Sequence, residues 1–415
     1  MKNTFPTSGD FDRIGNSAYS RTKAYDSRFD YLDSNDRFYL VPPTPRYRLA
    51  IIGTGVMGQG HIRSTFVEGS ATVAGLYDTH KGSIDAALKL CEQYGRSQRP
   101  TVYSSMNDAV SDTSIDGYII STPNFTHAEV LEHVLQNGKP VFLEKPMATT
   151  VADAASIVRM VRGKGAAVQV GLQYRYKAIY REAIEETLNR GSIGDVKNIA
   201  IREHRIPFLD KVEQWNKFSE LSGGTLVEKC CHYFDLFNLF SQSHPTRVFA
   251  TGSQAASYGS FRFNDKTSDI LDNAYVTVEY KNGVRAVFDL CMYVPLFFEE
   301  LVLCGTGGRI RTFEQEDYLH SDGYTSGFEM HRGETYPARI AEPRYQGVIR
   351  SLGHSGADFF AQAAFIAMLD GDHSLSPTVE EGFWSVVVGA AAEASVKEGK
   401  PIDVNEFIRV HNAEI

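Results

Sequence analysis

The segment GGTLVEKCCH, residues 223–232, concentrates side chains that can do acid–base, redox or metal chemistry. It places Glu228, Lys229 and the Cys230–Cys231 pair directly before His232, ahead of the apolar run YFDLFNLF. Glu228 and His232 are four residues apart, so on a helix they would share one face. The residue types alone leave four interpretations open: a metal site, a redox pair, a catalytic constellation or an ordinary helix start.

The cysteines favour reduced thiols over a disulfide framework, because they are few and odd in number. They are Cys91, Cys230, Cys231, Cys291 and Cys304. Adjacent cysteines cannot easily bridge each other, and no C-x-x-C spacing occurs in the sequence. Zinc bound by Cys230 and His232 would need a second ligand pair of similar spacing, which the sequence lacks. We therefore expect no metal site, and we interpret both cysteines as small buried apolar side chains.

Composition excludes several classes of function. The 415 residues are too many for one compact core, and 42% hydrophobic content is typical of folded proteins. A net charge of −9 argues against a nucleic-acid partner, because neutralising phosphates requires excess Lys and Arg. No apolar run approaches the roughly 18 residues of a membrane helix, and the first ten residues lack the apolar core of a secretory signal. We expect a cytoplasmic protein of two domains without a membrane partner.

Three regions follow one another along the chain. Residues 1–46 are polar with several aromatics and predict an arm that packs on its own chain or a neighbouring subunit, with a flexible leader as the alternative. From Tyr47, strands alternate with helices of about a dozen residues, which predicts a parallel sheet with helices on both faces. After Gly194, long strands with Asn282-Gly283 as a two-residue hairpin turn predict a large, mainly antiparallel open sheet. The predicted fold class is α/β.

A glycine-rich loop follows the first predicted strand and opens a helix. Gly53 would make the tight turn, Gly55 would let a pyrophosphate approach the backbone, and Gly58 would let helix and strand pack closely. Asp78, at the end of the next strand, would accept hydrogen bonds from a ribose hydroxyl and repel a 2′-phosphate. The pattern predicts a Rossmann domain that binds NAD in preference to NADP.

Seven motifs that run from about residue 47 almost to the end of the chain, EKP (residues 144–146) among them, resemble those of one family. They are GTGVMGQGH, STPNFTHAEV, LEKPMA, GLQYRY, GSIGDV, SGGTLVEKCCHYFDL and GHSGADF, in this order. The chain resembles the glucose–fructose oxidoreductase, inositol dehydrogenase and MocA (Gfo/Idh/MocA) family of NAD(P)-dependent oxidoreductases. The resemblance implies a Rossmann domain over residues 47–172 and a substrate-binding and oligomerisation domain over 173–415, with the active site between them. It also implies a carbohydrate substrate and a homo-oligomer, either a dimer or a tetramer.

The resemblance assigns roles to the opening segment. The family pattern Asp-x-Gly-x-His-x-x-Asp appears here with Glu228 for the first Asp and Cys230 for the Gly, followed by His232 and Asp235. It implies that His232 is the acid–base residue and that Lys145 is its catalytic partner. Glu228 would orient the imidazole and keep it basic. Lys229, an addition to the pattern, would either line the substrate pocket or point to solvent.

Further site residues follow from the same resemblance. The residues expected to bind the cofactor are Gly53, Gly55, Val56, Met57, Gly58, Asp78, Thr122, Pro123, Asn124, His127, Glu144, Lys145 and Gln173. Those expected to contact the substrate are Lys145, Tyr174, Arg175, Arg205, Trp215, Lys229, His232 and Asp235. A cationic stretch around Arg205 could bind an anionic or polyhydroxylated sugar with Trp215 stacked on its ring, or could be a solvated loop. His354 could reach the cleft or brace the C-terminal helix.

Three functions compete at this point. The first is hydride transfer between NAD and a secondary alcohol of a sugar, inositol or glycoside, with His232 taking the hydroxyl proton and Lys145 stabilising the alkoxide. The second is an NAD-dependent oxidoreductive glycosidase, which oxidises transiently, eliminates the aglycone, adds water and re-reduces. It would act on an anionic glycoside such as a sulfoquinovoside. The third is a non-catalytic sensor on the same fold, which the presence of both Lys145 and His232 disfavours.

Overall fold

The computed structural model describes residues 44–94, 99–317, 323–345 and 347–415, so the predicted arm over 1–46 lies outside the described residues except for its last three. A parallel sheet comes first in the chain, and a larger mixed sheet follows it. The predicted α/β class, with a Rossmann domain followed by a mainly antiparallel sheet, is confirmed. Among the helices of the described residues, none combines the length and apolar character that a membrane crossing requires.

The elements are numbered here in chain order. The strands are β1 (Tyr47–Ile52), β2 (Ala71–Tyr77), β3 (Thr101–Val102), β4 (Gly117–Ile120), β5 (Val141–Leu143), β6 (Val168–Val170), β7 (Val196–His204), β8 (Pro245–Ser253), β9 (Arg262–Phe263), β10 (Lys266–Thr267), β11 (Asn273–Tyr280), β12 (Arg285–Cys291), β13 (Leu296–Gly305), β14 (Gly308–Asp317), β15 (Tyr324–His331), β16 (Arg339–Ala341) and β17 (Ile402–Asp403). The α-helices are α1 (Val56–Glu68), α2 (Lys81–Tyr94), α3 (Met106–Ser111), α4 (His127–Val134), α5 (Val151–Lys164), α6 (Ala178–Ile184), α7 (Ser219–Ser222), α8 (Thr225–Glu228), α9 (Cys231–Ser241), α10 (Gly347–Arg350), α11 (Ala357–Leu369), α12 (Val379–Glu398) and α13 (Val404–Val410). Short 3₁₀ turns lie at Asn124–Thr126, Leu135–Asn137, Gln173–Tyr176, Val212–Lys217 and His354–Gly356, and a π-helical turn lies at Glu185–Asn189.

The first sheet has the order β3-β2-β1-β4-β5-β6 within the described residues, and its strands are all parallel. Both of its faces are buried. Leu49 and Ile51 lie in one apolar cluster, and the alternate residues Ala50 and Ile52 lie in another. The first cluster includes Phe365, so the late helix α11 packs on this sheet. The carboxyl ends of β1, β2, β4 and β5 therefore meet at one edge, where parallel sheets bind ligands.

The second sheet runs β16-β15-β14-β13-β7-β12-β11-β8-β17 in the described part of the chain. Its neighbours are antiparallel except for β7 and β12, which pair in parallel. Helices α9 and α12 cover one face, where Phe234 and Val387 join Val248 and Phe288 in a single apolar cluster. This arrangement places the start of α9, and with it His232, between the second sheet and the first.

The hairpin between β11 and β12 differs from the two-residue turn that the sequence predicts. The Gly283 amide donates to the Tyr280 carbonyl (2.9 Å), and the Tyr280 amide donates to the Val284 carbonyl (2.9 Å). Three residues, Lys281 to Gly283, therefore form the loop. Gly283 has a φ of 86°, which is the left-handed position that closes a three-residue hairpin.

Candidate active site

The glycine loop connects β1 to α1 in the geometry that a pyrophosphate requires. Gly53 has a φ of 89°, and a Cβ there would lie 2.7 Å from the carbonyl oxygen of Ser121. A Cβ on Gly58 would overlap the carbonyl oxygen of Gly53, whereas one on Gly55 would have no heavy atom within 4 Å. The first and third glycines are thus required by packing, and the second faces open space at the amino end of a 13-residue helix. These residues fit a dinucleotide phosphate.

Alanine substitutions at Gly55 and Gly58 should have different effects, the first on cofactor affinity and the second on the free energy of unfolding. We expect Gly55→Ala to leave the free energy of unfolding unchanged, because its φ of −66° suits any residue. Its cofactor affinity should fall about tenfold or more, the equivalent of about 1.4 kcal/mol. Gly58→Ala should lower the free energy of unfolding by about 1–3 kcal/mol through overpacking. Urea denaturation and cofactor fluorescence titration measure both, and a Gly55→Ala protein that binds the cofactor as the wild type does would contradict this role.

Asp78 fastens the glycine loop to the end of β2. Its carboxylate accepts from the Thr54 amide (2.6 Å) and the Thr54 hydroxyl (3.1 Å) through one oxygen. The other oxygen accepts from the His80 amide at 2.8 Å. The carboxylate therefore lies beside the loop, where the sequence places the ribose contact, and that contact remains a prediction.

The loop after β4 supplies the next group of predicted cofactor residues. The ring of His127 lies between the carbonyl oxygens of Pro146 (2.9 Å) and Thr122 (3.0 Å), so it ties the β4 and β5 loops together. Burial lowers the pKa of His127 despite these two carbonyls. Asn124 is buried, and its amide nitrogen has no hydrogen-bond partner in the described residues. Pro123 precedes Asn124 in the loop.

Glu144, at the end of β5, joins three segments. One oxygen lies 2.9 Å from Nε2 of His61 in α1 and accepts from the Gln173 amide at 2.6 Å. The other accepts from the Lys145 backbone amide at 3.0 Å. The side-chain oxygen of Gln173 is buried without a hydrogen-bond partner among the described residues. Glu144 thus orients the start of the loop that carries Lys145, while Val56 and Met57 occupy the first turn of α1.

Lys145 is held against Glu228 across the two domains. Its Nζ donates to the Glu228 carbonyl (3.1 Å) and lies 3.9 Å from the carboxylate. Burial raises the pKa of Glu228, but Lys145 and Lys211 outweigh it and lower that pKa to about 2. Burial lowers the pKa of Lys145, and the Glu228 carboxylate outweighs it and raises that pKa. The pair therefore consists of an ammonium and a carboxylate.

His232 is buried, and both of its ring nitrogens lack hydrogen-bond partners in the part of the chain that the structure describes. Its ring stacks on Tyr174 with centroids 4.1 Å apart and planes within 6°. Burial lowers the pKa of His232 well below its ordinary value, and the cations of Lys145 and Lys229 add to the effect. The imidazole is thus neutral, and the described residues leave both of its nitrogens without a hydrogen bond.

Glu228 was predicted to orient the His232 ring, but in the structure it binds other side chains. The helix breaks after α8, and Lys229 and Cys230 separate Glu228 from α9. The Glu228 carboxylate accepts from Lys211 (3.1 Å) and pairs with Lys145 instead of contacting the imidazole. Two ammonium groups attract a carboxylate more strongly than a neutral ring does, which explains the difference.

Lys229 lies inside the protein rather than in solvent. Its Nζ donates to the Tyr174 hydroxyl (2.6 Å) and pairs with Glu203 at 3.1 Å. Burial lowers the pKa of Lys229 despite the nearby carboxylate. Glu203 is not among the residues predicted from the sequence for this site. The signal was present, because Ile199, Ile201 and Glu203 alternate on the buried face of β7.

Arg175 and Asp235, both expected to contact substrate, bind each other. The guanidinium donates to the two Asp235 oxygens (2.7 and 2.6 Å) and to Glu381 of α12 (2.7 Å). Burial raises the pKa of Asp235 to about 6 despite this arginine. The reason for the difference from the prediction is that these carboxylates already occupy the guanidinium. The three side chains join the segment after β6 to α9 and α12.

Removing this buried cation should cost stability. We expect Arg175→Met to lower the free energy of unfolding by about 3–5 kcal/mol, because it leaves a buried carboxylate without a partner. Arg162→Met is the matched control. Arg162 pairs with Glu380, which lies next to Glu381 in α12 (2.6 Å), but the Arg162 side chain is 51% exposed. The control should cost at most about 1 kcal/mol. Equal losses in urea denaturation would contradict the assignment.

The cationic stretch is largely neutralised by neighbouring carboxylates. Arg205 lies 3.5 Å from Glu203, Lys217 pairs with Asp210, and Lys211 pairs with Glu228. Trp215 is only 9% exposed. The Lys211 ammonium lies 4.4 Å from its ring centroid. These contacts reduce the positive charge that an anionic sugar would meet.

One of the five thiols contacts this arrangement, because Cys231 donates to the Glu228 carbonyl (3.6 Å), the oxygen that also accepts from Lys145. Each cysteine is free, and burial raises the pKa of Cys231 to about 12. Within the described residues no group of three or more His, Cys, Asp or Glu is placed to hold a metal ion. Cys230 and Cys231 are both fully buried at the start of α9.

Comparisons with known proteins match both parts of the chain to one family. Residues 47–172 match the GFO_IDH_MocA oxidoreductase family, NAD-binding Rossmann fold, and residues 185–404 match the C-terminal alpha/beta domain of that family. Myo-inositol 2-dehydrogenase of Thermotoga maritima is 21% identical over 364 residues, which are 87% of this chain and 99% of that protein. The structure of scyllo-inositol dehydrogenase from Lactobacillus casei with NAD(H) and scyllo-inositol has a TM-score of 0.67 at 19% identity, covering 88% of this chain and all (100%) of that one. Levoglucosan dehydrogenase in complex with NADH and levoglucosan gives a TM-score of 0.68 at 17% identity over 86% and 99% of the two chains.

Proposed function

Because the chain belongs to the GFO/IDH/MocA oxidoreductase family, we propose that it transfers hydride between NAD and a secondary alcohol carbon of a sugar, inositol or glycoside. The observation that carries the proposal is His232, a buried neutral imidazole whose two nitrogens have no partner among the described residues. Lys145 lies close enough for its charge to act on that ring. The names of the inositol and levoglucosan dehydrogenases support the substrate class.

The cofactor would bind at the glycine loop, with its phosphates at the amino end of α1 and its ribose near Asp78. The carboxylate would disfavour a 2′-phosphate, so NAD is the expected form. When bound, the nicotinamide ring accepts or returns the hydride. Asn124 and Gln173 supply polar groups on the same edge, and one amide atom of each is buried without a partner among the residues that the structure describes.

Lys145 and His232 would handle the hydroxyl proton of the substrate. A neutral ring nitrogen of His232 accepts it as the carbon loses hydride. The Lys145 ammonium stabilises the oxygen as it becomes negative. Glu228, whose pKa is about 2, remains a carboxylate and holds that ammonium in place. Tyr174 fixes the plane of the imidazole by stacking on it.

The oxidoreductive glycosidase remains a prediction. Two features of the sequence kept it open, the altered EKCCH signature (residues 228–232) and the cationic stretch. The cations of that stretch have carboxylate neighbours at Glu203, Glu228 and Asp210. Nothing in the described residues favours it over the dehydrogenase, so it enters as an outcome of the experiment.

The test is a substrate panel with the purified full chain. Inositols, aldoses, a 1,6-anhydrosugar and aryl glycosides are incubated with NAD or NADP while NADH absorbance and product are followed. We expect NADH equal to product from at least one polyol, and a Kd for NAD about tenfold or more below that for NADP. Aglycone released without net NADH would replace the dehydrogenase with the glycosidase. NAD binding without any turnover would favour the non-catalytic sensor.

Assembly as a dimer or tetramer is also proposed. The outward face of the second sheet exposes Phe249, Tyr275 and Val287, the tyrosine at 60%. Exposed apolar groups on a broad sheet support self-association. Sedimentation velocity should give two or four times 46.2 kDa, and a monomer at micromolar concentration would contradict the proposal.

A further inference from the structure

A second imidazole lies against His232. The ring centroid of His354 is 5.6 Å from that of His232 and 5.5 Å from that of Tyr174, with its plane inclined at 61° and 66° to theirs. Nδ1 of His354 lies 2.7 Å from Oδ1 of Asp358, four residues later on α11. The side chain of Asp358 is 7% exposed and that of His354 is 23% exposed. The site therefore contains two different imidazoles. The His232 ring is buried and has no carboxylate partner among the described residues, whereas the His354 ring pairs with Asp358 and reaches the surface.

The backbone holds His354 in place at some cost. His354 and Ser355 have φ values of 54° and 56°, in the left-handed region that non-glycine residues rarely adopt. The Ser355 hydroxyl donates to Glu314 of β14 at 3.2 Å. A Cβ on Gly353 would overlap the Asp358 carboxylate, so the loop lies directly on that group. Such conformations persist only where the surroundings determine them, and they gather at functional sites.

The contact with Asp358 fixes the tautomer of His354. A carboxylate accepts hydrogen bonds, so the neutral ring carries its proton on Nδ1 and donates it to Asp358. Nε2 then keeps its lone pair. The hydrogen bonds of the described residues occupy only Nδ1 of this ring. His354 thus has the orientation and the carboxylate support that Glu228 does not give to His232.

A proton that reaches His232 has to leave it. The ring is fully buried, and its nitrogens contact no acceptor in the residues that the structure describes. The ammonium groups of Lys145 and Lys229 oppose a positive charge there. His354 is the adjacent ring with an acceptor nitrogen, an anion to balance the charge and access to solvent. Because no hydrogen bond joins the two rings in the described part of the chain, a water molecule or a second substrate hydroxyl has to bridge them.

We propose that His354, held by Asp358, carries the substrate's proton between His232 and solvent. The proposal rests on the proposed function. During oxidation the substrate O–H bond breaks, and a nitrogen of His232 accepts the proton. The bridging hydroxyl transfers a proton to Nε2 of His354 and accepts one from His232. The His354 imidazolium, paired with Asp358, then releases its proton to bulk water, and reduction reverses the sequence.

The first test uses His354→Asn, because asparagine tolerates a positive φ and cannot titrate. On the substrate that the panel identifies, we expect kcat to fall about tenfold or more, with KM and NAD affinity unchanged. Added imidazole should restore kcat, since a small diffusible base replaces the missing carrier. His133→Asn, at an exposed position of α4, is the matched control and should show neither loss nor rescue. Unchanged kcat in His354→Asn would overturn the proposal, and so would a loss that imidazole does not restore.

The second test does not depend on turnover. The ¹⁵N NMR spectrum of the histidine-labelled full chain, assigned with His354→Asn, should show the Nδ1–H tautomer for His354. Asp358→Asn should shift it towards Nε2–H, because an amide can donate to Nδ1. An Nε2–H tautomer in the wild type would overturn the proposal. A wild type inactive on the whole panel counts against the proposed function, whereas an active one indifferent to His354→Asn counts against the relay alone.

Discussion

Replacing Lys145 with methionine is expected to lower kcat/KM about 10²- to 10³-fold while NAD binding is retained. This is the range observed when one preorganised donor is removed from a developing negative charge. Methionine keeps the length and apolar stem of the side chain and removes only its charge. The effect should fall mainly on kcat, because the ammonium acts on the oxygen most strongly as it becomes an alkoxide.

Two comparisons show whether that loss arises from the missing charge. Lys164→Met, at an exposed position in the last turn of α5, should retain wild-type activity. Glu228 keeps Lys211 as a partner at 3.1 Å, so Lys145→Met should remain folded by circular dichroism. A folded Lys145→Met protein that binds NAD and retains kcat/KM would exclude Lys145 from the chemistry.

Local sequence signals predict the cofactor half of this protein well. The turn at Gly53 and the close approach at Gly58 depend on residues that are near in sequence, so the glycine spacing is sufficient to find them. Asp78 lies beside the same loop through Thr54, because β1 and β2 are neighbours in a parallel sheet. The sequence therefore specifies both the loop and the carboxylate that fastens it.

The substrate half depends on partners that are distant in sequence, and here prediction was less complete. The sequence places Glu228 and His232 on one helix, but it cannot show that Lys145, 83 residues earlier, meets Glu228. The same applies to Arg175, which donates to Glu381, a residue 206 positions later in the sequence. A charged side chain takes the strongest partner that the fold brings to it, and periodicity does not reveal that partner.

The charges around His232 explain why the carboxylates lie elsewhere. Glu228 pairs with Lys145 and Lys211, and Glu203 pairs with Lys229, so these two carboxylates hold ammonium groups. Burial of the ring, together with the ammonium groups of Lys145 and Lys229, keeps the imidazole neutral. An imidazole that must accept a proton from a weakly acidic hydroxyl has to be neutral first, and the arrangement favours that state without a direct hydrogen bond.

Replacing His232 with asparagine is expected to lower kcat/KM about 10²- to 10⁴-fold, the usual contribution of a general base. Asparagine preserves a polar group in the buried position but cannot accept the proton at neutral pH. His373→Asn, at an exposed position, is the control and should be silent. NAD affinity should be unchanged in both proteins. A His232→Asn protein that is folded and as active as the control would remove the group on which the proposed chemistry depends.

The pH profile of the wild type tests the same residue from its electrostatics. A base acts only when unprotonated, and burial with the nearby cations lowers the pKa of His232 well below its ordinary value. Its active form therefore persists as the pH falls through about 6.5, where an exposed histidine protonates. We expect kcat/KM to stay level across that range and to decline only at a distinctly lower pH, until other groups or unfolding intervene. A decline centred near 6.5 that disappears in His232→Asn would mean that solvent reaches the ring and that the cations do not control its charge.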